Sequence, residues 1–254
     1  MNTLFGQLED VVIARLQEYE QVALDVNPDG YYLAYSGGKD SDVILRLTEK
    51  SGVKFKAHHS LTTCDPPELV RHVRTKDVEI HRPKMTMWQL IRKKGMPPRR
   101  NARYCCQVLK ESAGDNAVII TGVRWGESAR RGKRKMFEAC FRHKRKWFLH
   151  PIIDWSETDV WDYIRTEVID YCKLYDEGFH RLGCVLCPMK RDIDKEMARW
   201  PKIARAFEKS IKSTYKGHLP TAPFDSPEEY WQWWLDRDRK AVRKDDNQCM
   251  MFED

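Results

Sequence analysis

The stretch "YYLAYSGGKDSDVILRLTEK", residues 31–50, confines the fold more than any other part of the chain. A short aromatic and apolar run, two glycines and then apolar residues at helical spacing describe a strand that turns straight into a helix. Such a unit buries its faces only against others of its kind, and the sequence downstream supplies them. "VKFKAHHS", "VEIH" and "AVIITG" (117–122) read as further strands, while "PPELVRHVRTK", with proline in its first turn, and "TMWQLIRKK" read as helices between them. This alternation predicts an α/β fold with a parallel sheet and helices on both faces. Upstream, Leu8, Val11, Val12, Ile13, Leu16 and Val22 predict one amphipathic helix over 7–24, ended by "NPDG". Asp40 or Ser41 is the expected cap of the helix that follows the glycines.

Beyond residue 129 the character changes. "RRGKRKMFEACFRHKRKW" places two basic segments around "MFEAC" and predicts an exposed hairpin or loop. The text after "LHPIIDW" is mostly helical, with a capping box at Ser226 and Glu229. The expected organisation is a principal domain over 1–190 and a helical extension over 191–254. A chain of 254 residues can bury a sizeable core, and its formal net charge of +7 favours an anionic partner without choosing one. No run of roughly 18 apolar residues suited to a membrane span occurs, and the first residues lack a basic-then-apolar leader pattern. The expectation is a soluble, cytoplasmic protein.

The chain has 8 cysteines, and in a reducing compartment they point to metal or redox chemistry rather than a disulfide framework. Cys105-Cys106 and Cys184-x-x-Cys187 are paired, whereas Cys64, Cys140, Cys172 and Cys249 stand alone. Two close pairs suit the four corners of an iron–sulfur cluster, and four thiolates suit structural zinc equally well.

The glycine turn has the parts of a phosphate cradle. Backbone N–H groups converge on an anion only where glycine lets the chain bend, and a helix N-terminus adds partial positive charge. Ser36, Gly37, Gly38, Lys39, Asp40 and Ser41 meet that description. Neither G-x-x-x-x-G-K-[ST] nor G-x-G-x-x-G is present. S-G-G-x-D-S resembles the PP-loop of the adenine-nucleotide α-hydrolase superfamily. With the tandem cysteines, the C-x-x-C, "TTCDPPELVR", "GVRWGESARR" and "PIIDWSETDVWDYI", residues 30–190 resemble the iron–sulfur branch of the phosphoadenosine/adenosine phosphosulfate (PAPS/APS) reductase family.

That resemblance implies a Rossmann-like sheet in a nucleotide-binding domain over 1–190. It also implies a loop that holds the pyrophosphate of ATP with Mg2+, and a [4Fe–4S] cluster on Cys105, Cys106, Cys184 and Cys187. It makes "GVRWGESARR" a second anion-binding segment: Arg124, Arg130 and Arg131 would pair with phosphate or sulfate oxygens, and Glu127 would orient one of them or help hold a metal. His150, Arg181, Asp65 and Glu68 are further candidates, each with a structural alternative. The basic segment 130–146, interleaved with Phe137 and Phe141 and followed by Trp147, suits nucleic acid, a lid over a polyanion or a solvated face.

Three functions follow. An intact S-G-G-x-D-S resembles members that split ATP, so an acceptor would be adenylated and then sulfurated, with Lys39, Asp40, Arg124 and Glu127 as catalytic candidates. The alternative is a sulfonucleotide reductase that releases sulfite, with Cys249 as nucleophile and a thioredoxin-like donor. Cys249, however, lies in "DDNQCMMFED", without the glycine and histidine such a tail carries and among acidic residues that disfavour a thiolate. A nucleotide-binding regulatory protein is the third.

Overall fold

A computed structural model describes residues 4–110, 114–140, 145–217 and 224–244, side chains being described within 6–236. It divides into two compact units that interleave in sequence. The first comprises residues up to Ser60, Pro67–His81 and Glu111–Gly183; the second comprises Leu61–Pro66, Arg82–Lys110 and the chain from Cys184. These units cut across the expected 1–190 and 191–254 division, because the loop after the second strand and the segment after the third, residues 82–110, group with the C-terminal helices.

The first unit is built on a six-stranded sheet. Strands β1 (Tyr31–Ala34), β2 (Phe55–Ser60), β3 (Glu79–His81), β4 (Ala117–Ile120), β5 (Phe137–Ala139) and β6 (Lys146–Leu149) lie in the order β3-β2-β1-β4-β6-β5. Only the β5–β6 pair is antiparallel; the others are parallel, as the alternation predicts. Strand β1 has β2 on one side and β4 on the other, so the order reverses there and opens a crevice at the carboxyl ends of β1 and β4.

The apolar alternation of β1 sends Tyr31 and Leu33 into a core with Val12, Leu16, Val43, Leu47, Val118, Ile120, Leu149 and Val160. Helices α1 (Leu4–Glu18), α3 (Lys39–Ser51) and α8 (Glu157–Thr166) supply the matching faces. The single helix expected over 7–24 is two, because Tyr19 leaves helical geometry (φ −100°, ψ 5°) before α2 (Glu20–Val26); its ring stacks on Phe137 at 4.4 Å.

In the second unit, α5 (Met87–Lys94), α6 (Tyr104–Leu109), α9 (Ile193–Arg199), α10 (Pro201–Lys212) and α11 (Pro227–Lys244) gather around Phe207. Trp88 meets its edge at 4.7 Å and Trp234 stacks on it at 5.9 Å, with the Trp234 Nε1–H donating to the Pro98 carbonyl. Trp231 is also buried, while Trp233 packs on Tyr230 and under Arg99. The spacing of the three tail tryptophans is thus used for packing within this unit. Among the described residues no helix is long and apolar enough to cross a membrane.

Gly122 closes the seam between β4 and α3. A Cβ there would stand 2.9 Å from the Asp40 carbonyl oxygen and 3.0 Å from the Asp40 Cβ, and backbone cannot move aside cheaply. Gly122→Ala is expected to cost ~1–3 kcal/mol by overpacking, seen as a lowered midpoint of thermal unfolding. Gly126→Ala, where an added Cβ meets nothing within 4 Å, should stay within about 0.5 kcal/mol of the parent.

Candidate functional site

The glycine turn lies at the crevice. After β1, Gly37 takes a left-handed φ of +79°, with its α-carbon seated so tightly that a Cβ would meet Leu69 and Val73 at 2.8 Å. Gly38, extended at φ −90° and ψ 162°, caps α3, so the helix begins at Lys39 rather than after a cap at Asp40 or Ser41. The reason is local: the Gly38 carbonyl accepts from the Ser41 and Asp42 amides, and from the Ser41 hydroxyl at 2.7 Å. Ser36 Oγ donates to Ser41 Oγ at 3.1 Å. No side chain caps the α3 N-terminus, and its Lys39 amide donates to the Tyr175 hydroxyl at 3.0 Å.

Lys39 is nearly buried, beneath the rings of Trp161 and Tyr175, with Nζ 3.4 Å from Asp40 and 3.5 Å from Glu157. Arg124, 3% exposed, donates through Nε to the other Asp40 oxygen at 2.6 Å. One carboxylate therefore holds both cations at the crevice. Glu127 accepts the Arg124 backbone N–H at 2.8 Å and pairs with the Arg131 guanidinium. Arg130 is exposed. Of the two later arginines, then, Arg131 is tied to Glu127, and both stand at the start of the short helix α7 (Ala129–Gly132).

Beneath the turn lies a set that sequence reasoning missed. The Tyr35 hydroxyl donates to Asp42 Oδ1, which also lies 2.9 Å from His72 Nε2 on α4 (Pro67–Val73). Asp42 is buried and its other oxygen has no hydrogen-bond partner. Burial raises its pKa, against the opposing pull of His72 and Tyr35. Its position on the inner face of α3, three residues after Lys39, was the available signal.

At the end of β6, His150 is fully buried, with Nδ1 2.6 Å from Thr121 Oγ1 and Nε2 3.3 Å from Arg134. Burial, and then the Arg134 guanidinium, lower its pKa to about 4. Arg181 is exposed on a loop. In the basic segment, Phe137 and Trp147 pack against the core and Lys146 is buried beside Asp115, so these three are not exposed stacking or phosphate-contacting groups. Phe141 and Cys249 lie outside the described residues.

The second unit brings the paired cysteines together. Cys105 and Cys106, in the first turn of α6, line one cavity with Cys184 and Cys187, beside Lys110 and among Leu109, Val185, Leu186 and Phe207. Leu186 adopts φ +53° in the C-x-x-C turn, and its amide is held at 2.6 Å by Glu196, which is 1% exposed.

Cys64, read as solitary, belongs here: it hydrogen-bonds Cys184, and both sulfurs approach the Thr62 hydroxyl, at 3.4 and 3.3 Å. Asp65 makes this possible by accepting the Thr62 amide and hydroxyl at 2.6 and 2.7 Å. Its carboxylate therefore shapes a loop. Glu68 stands in the first turn of α4, 3.7 Å from Arg71. The hydrogen bond from Cys64, opposed by burial and aided by Lys110, lowers Cys184 to about 6; the bond from Cys105, aided by Arg103, lowers Cys106 to about 5.

Residues 30–190 match the phosphoadenosine phosphosulfate reductase domain. The chain belongs to that family. A protein of Methanocaldococcus jannaschii is 28% identical over 205 residues, 69% of this chain and 41% of the relative. An adenosine 5'-phosphosulfate reductase of Oceanobacillus iheyensis is 26% identical over 195 residues, 71% of this chain and 81% of the relative; that of Neisseria meningitidis is 37% identical over 106 residues, 39% and 43%. The chain spans under half the length of the first curated relatives it matches.

Among solved structures, phosphoadenylyl-sulfate reductase from Candida auris superposes with a TM-score of 0.52 at 19% identity, over 71% of this chain and 93% of that one. Candida glabrata FMN adenylyltransferase does so at 0.51 and 15%, over 94% and 80%. These likenesses establish the Rossmann-like fold.

The His150 environment carries a pH dependence. Its folded pKa of about 4 lies below the ordinary 6.5, so as pH falls the unfolded chain takes up the proton first. Stability is therefore full above about pH 6.5 and declines toward pH 4, by up to ~3 kcal/mol. Urea unfolding across that range should show the loss, and His150→Asn should flatten it.

Proposed function

We propose that this chain is an ATP-splitting member of its family, which adenylates an acceptor and then delivers sulfur to it. The observation that carries the reading is the intact cradle: two glycines, an α3 N-terminus without a side-chain cap, and Lys39 and Arg124 converging on it. Such a site favours a polyphosphate through aligned N–H dipoles and two cations. Support comes from one fold neighbour, Candida glabrata FMN adenylyltransferase, solved with FAD and inorganic pyrophosphate, with ATP and with an ATP analogue.

An acceptor oxygen attacks the α-phosphorus, the bond to the β-phosphate oxygen breaks, and pyrophosphate leaves with the electron pair into the cradle. Lys39 and the loop N–H groups stabilise that leaving group, and Arg124 the charge at the α-phosphate. A sulfide-level nucleophile then displaces AMP, forming the carbon–sulfur bond. Asp40, already between the two cations, is the residue that would hold Mg2+ with the phosphates, where the ion supplies charge neutralisation.

We further propose that Cys105, Cys106, Cys184 and Cys187 hold a [4Fe–4S] cluster, which would supply a fixed electrostatic and redox centre. All four line one cavity, and four thiolates from two close pairs are the donors such a cluster takes. Cys184→Ser is expected to lower the iron content of anaerobically purified protein to a small fraction of the parent's, while loading with one zinc per chain and no iron would overturn the cluster.

The named relatives favour a second reading, reduction of a phosphosulfate with release of sulfite. The two separate cleanly. Protein incubated with ATP and Mg2+, and in parallel with adenosine phosphosulfate and a thiol, should release pyrophosphate in the first and no sulfite in the second. Lys39→Ala should lower pyrophosphate release at least ~100-fold, on the scale of losing one charge-stabilising donor. Sulfite without pyrophosphate would overturn the ATP reading and turn attention to Cys249.

A further inference from the structure

Strands β2 and β3 are parallel neighbours, and β3 is the sheet's edge. Their register sets His58 against Glu79 and Ser60 against His81. Alternate residues of a strand share a face, so Glu79 and His81 project together, beside His58. The consequence is a preformed donor group: His58 Nδ1 lies 2.9 Å from His81 Nε2 and 3.5 Å from a Glu79 oxygen, and one ligand atom from each residue falls within 4.8 Å of the others.

We propose that His58 (Nδ1), His81 (Nε2) and one carboxylate oxygen of Glu79 bind a late first-row divalent cation, zinc foremost. Two imidazoles and a carboxylate are the donors such ions take, and three protein ligands leave a fourth position for water. At metal–ligand distances of about 2.1 Å, tetrahedral donors sit about 3.4 Å apart. The His58–Glu79 spacing already matches; the two rings, now joined by one shared proton, need open by only a few tenths of an ångström when the ion replaces that proton.

Two further features fit. Tyr32 lies flat on His58 at 4.0 Å and 10° between planes, which orients the ring before metal arrives. The side chains of His81 and Glu79 are 37% and 61% exposed against 11% for His58, so the ion has an entry path from solvent. His58 and Glu79 also line a cavity with Asn27, Asp29, Tyr32 and Asp115, which offers partners to a metal-bound water. The bound ion would tie the three-residue edge strand β3 to β2. This site is separate in sequence and in donor type from the cysteine cavity, and it stands whether or not the chain splits ATP.

Cobalt(II) tests it in the full-length protein with its cysteine site as purified. One ion per chain should bind at micromolar free metal with weak visible d–d bands and without the intense sulfur-to-cobalt band of a thiolate site. His81→Ala, at the half-exposed edge, should weaken binding at least tenfold, and Glu79→Gln by less. Zinc should raise the thermal midpoint of the parent but not of His81→Ala. Equal affinity in parent and His81→Ala, a spectrum dominated by thiolate, or no saturable binding would each overturn the site.

Discussion

The carboxylate of Asp40 sits between two buried cations, and the crevice is organised around that arrangement. Arg124 arrives from the end of β4 and Lys39 from the start of α3, each pairing with a different Asp40 oxygen at 2.6 and 3.4 Å. Two like charges so confined would otherwise repel, and in a partly dry site that repulsion is weakly screened. Gly122 lets the β4 turn come close enough to Asp40 for the shared pairing to form. A second tier secures the turn from below, where Gly37 rests on Leu69 and Val73 of α4 and Asp42 joins Tyr35 to His72 of the same helix. The cradle is thus a product of α3, α4 and β4 packed together, and the glycine turn alone would not hold its shape.

On the proposed reading, a polyphosphate at the α3 N-terminus would compete with the Tyr175 hydroxyl for the Lys39 amide, and with Asp40 and Glu157 for the Lys39 ammonium. Exchange of one oxygen partner for another keeps each buried donor satisfied throughout, which lowers the cost of binding in a site where an unpaired charge is expensive. Glu157 is the more exposed of the two carboxylates, 64% against 21% for Asp40, and so the one that water can take over most readily.

Much of this was legible in the sequence because it is local. The strand, the glycines and the first turn of α3 are contiguous, and the parallel sheet followed from the alternation of short apolar runs with helical spacing. The signals failed where distant residues decide the outcome. Tyr19 breaks the first helix as its ring stacks on Phe137, and no periodicity within 7–24 reveals that. Phe137, Trp147 and Lys146 looked like a surface patch in a basic run, yet the strand period of two puts Phe137 and Trp147 on the one face that packs against the core, while Lys146, on the other face, is buried beside Asp115. Cys64 stood alone in the sequence, and a left-handed Thr63 together with the grip of Asp65 on Thr62 brings it to Cys184.

The cysteine cavity shows the same dependence of chemistry on packing. Its lining is largely apolar, which penalises thiolates, and the four sulfurs respond unequally. Hydrogen bonding from Cys105 and Cys64, aided by Arg103 and Lys110, pulls Cys106 and Cys184 down, while the bond to Cys106 and burial push Cys105 up and burial pushes Cys187 up. Packing around Lys110 opposes its charge, but the negative groups of Cys184, Asp65 and Cys106 outweigh that and keep it protonated. Cys106 and Cys184 are therefore the more acidic of the four, and Cys105 and Cys187 the less. A metal centre that took all four would have to displace the protons of Cys105 and Cys187, so its assembly would be coupled to pH through those two residues, with Lys110 left to offset the added negative charge.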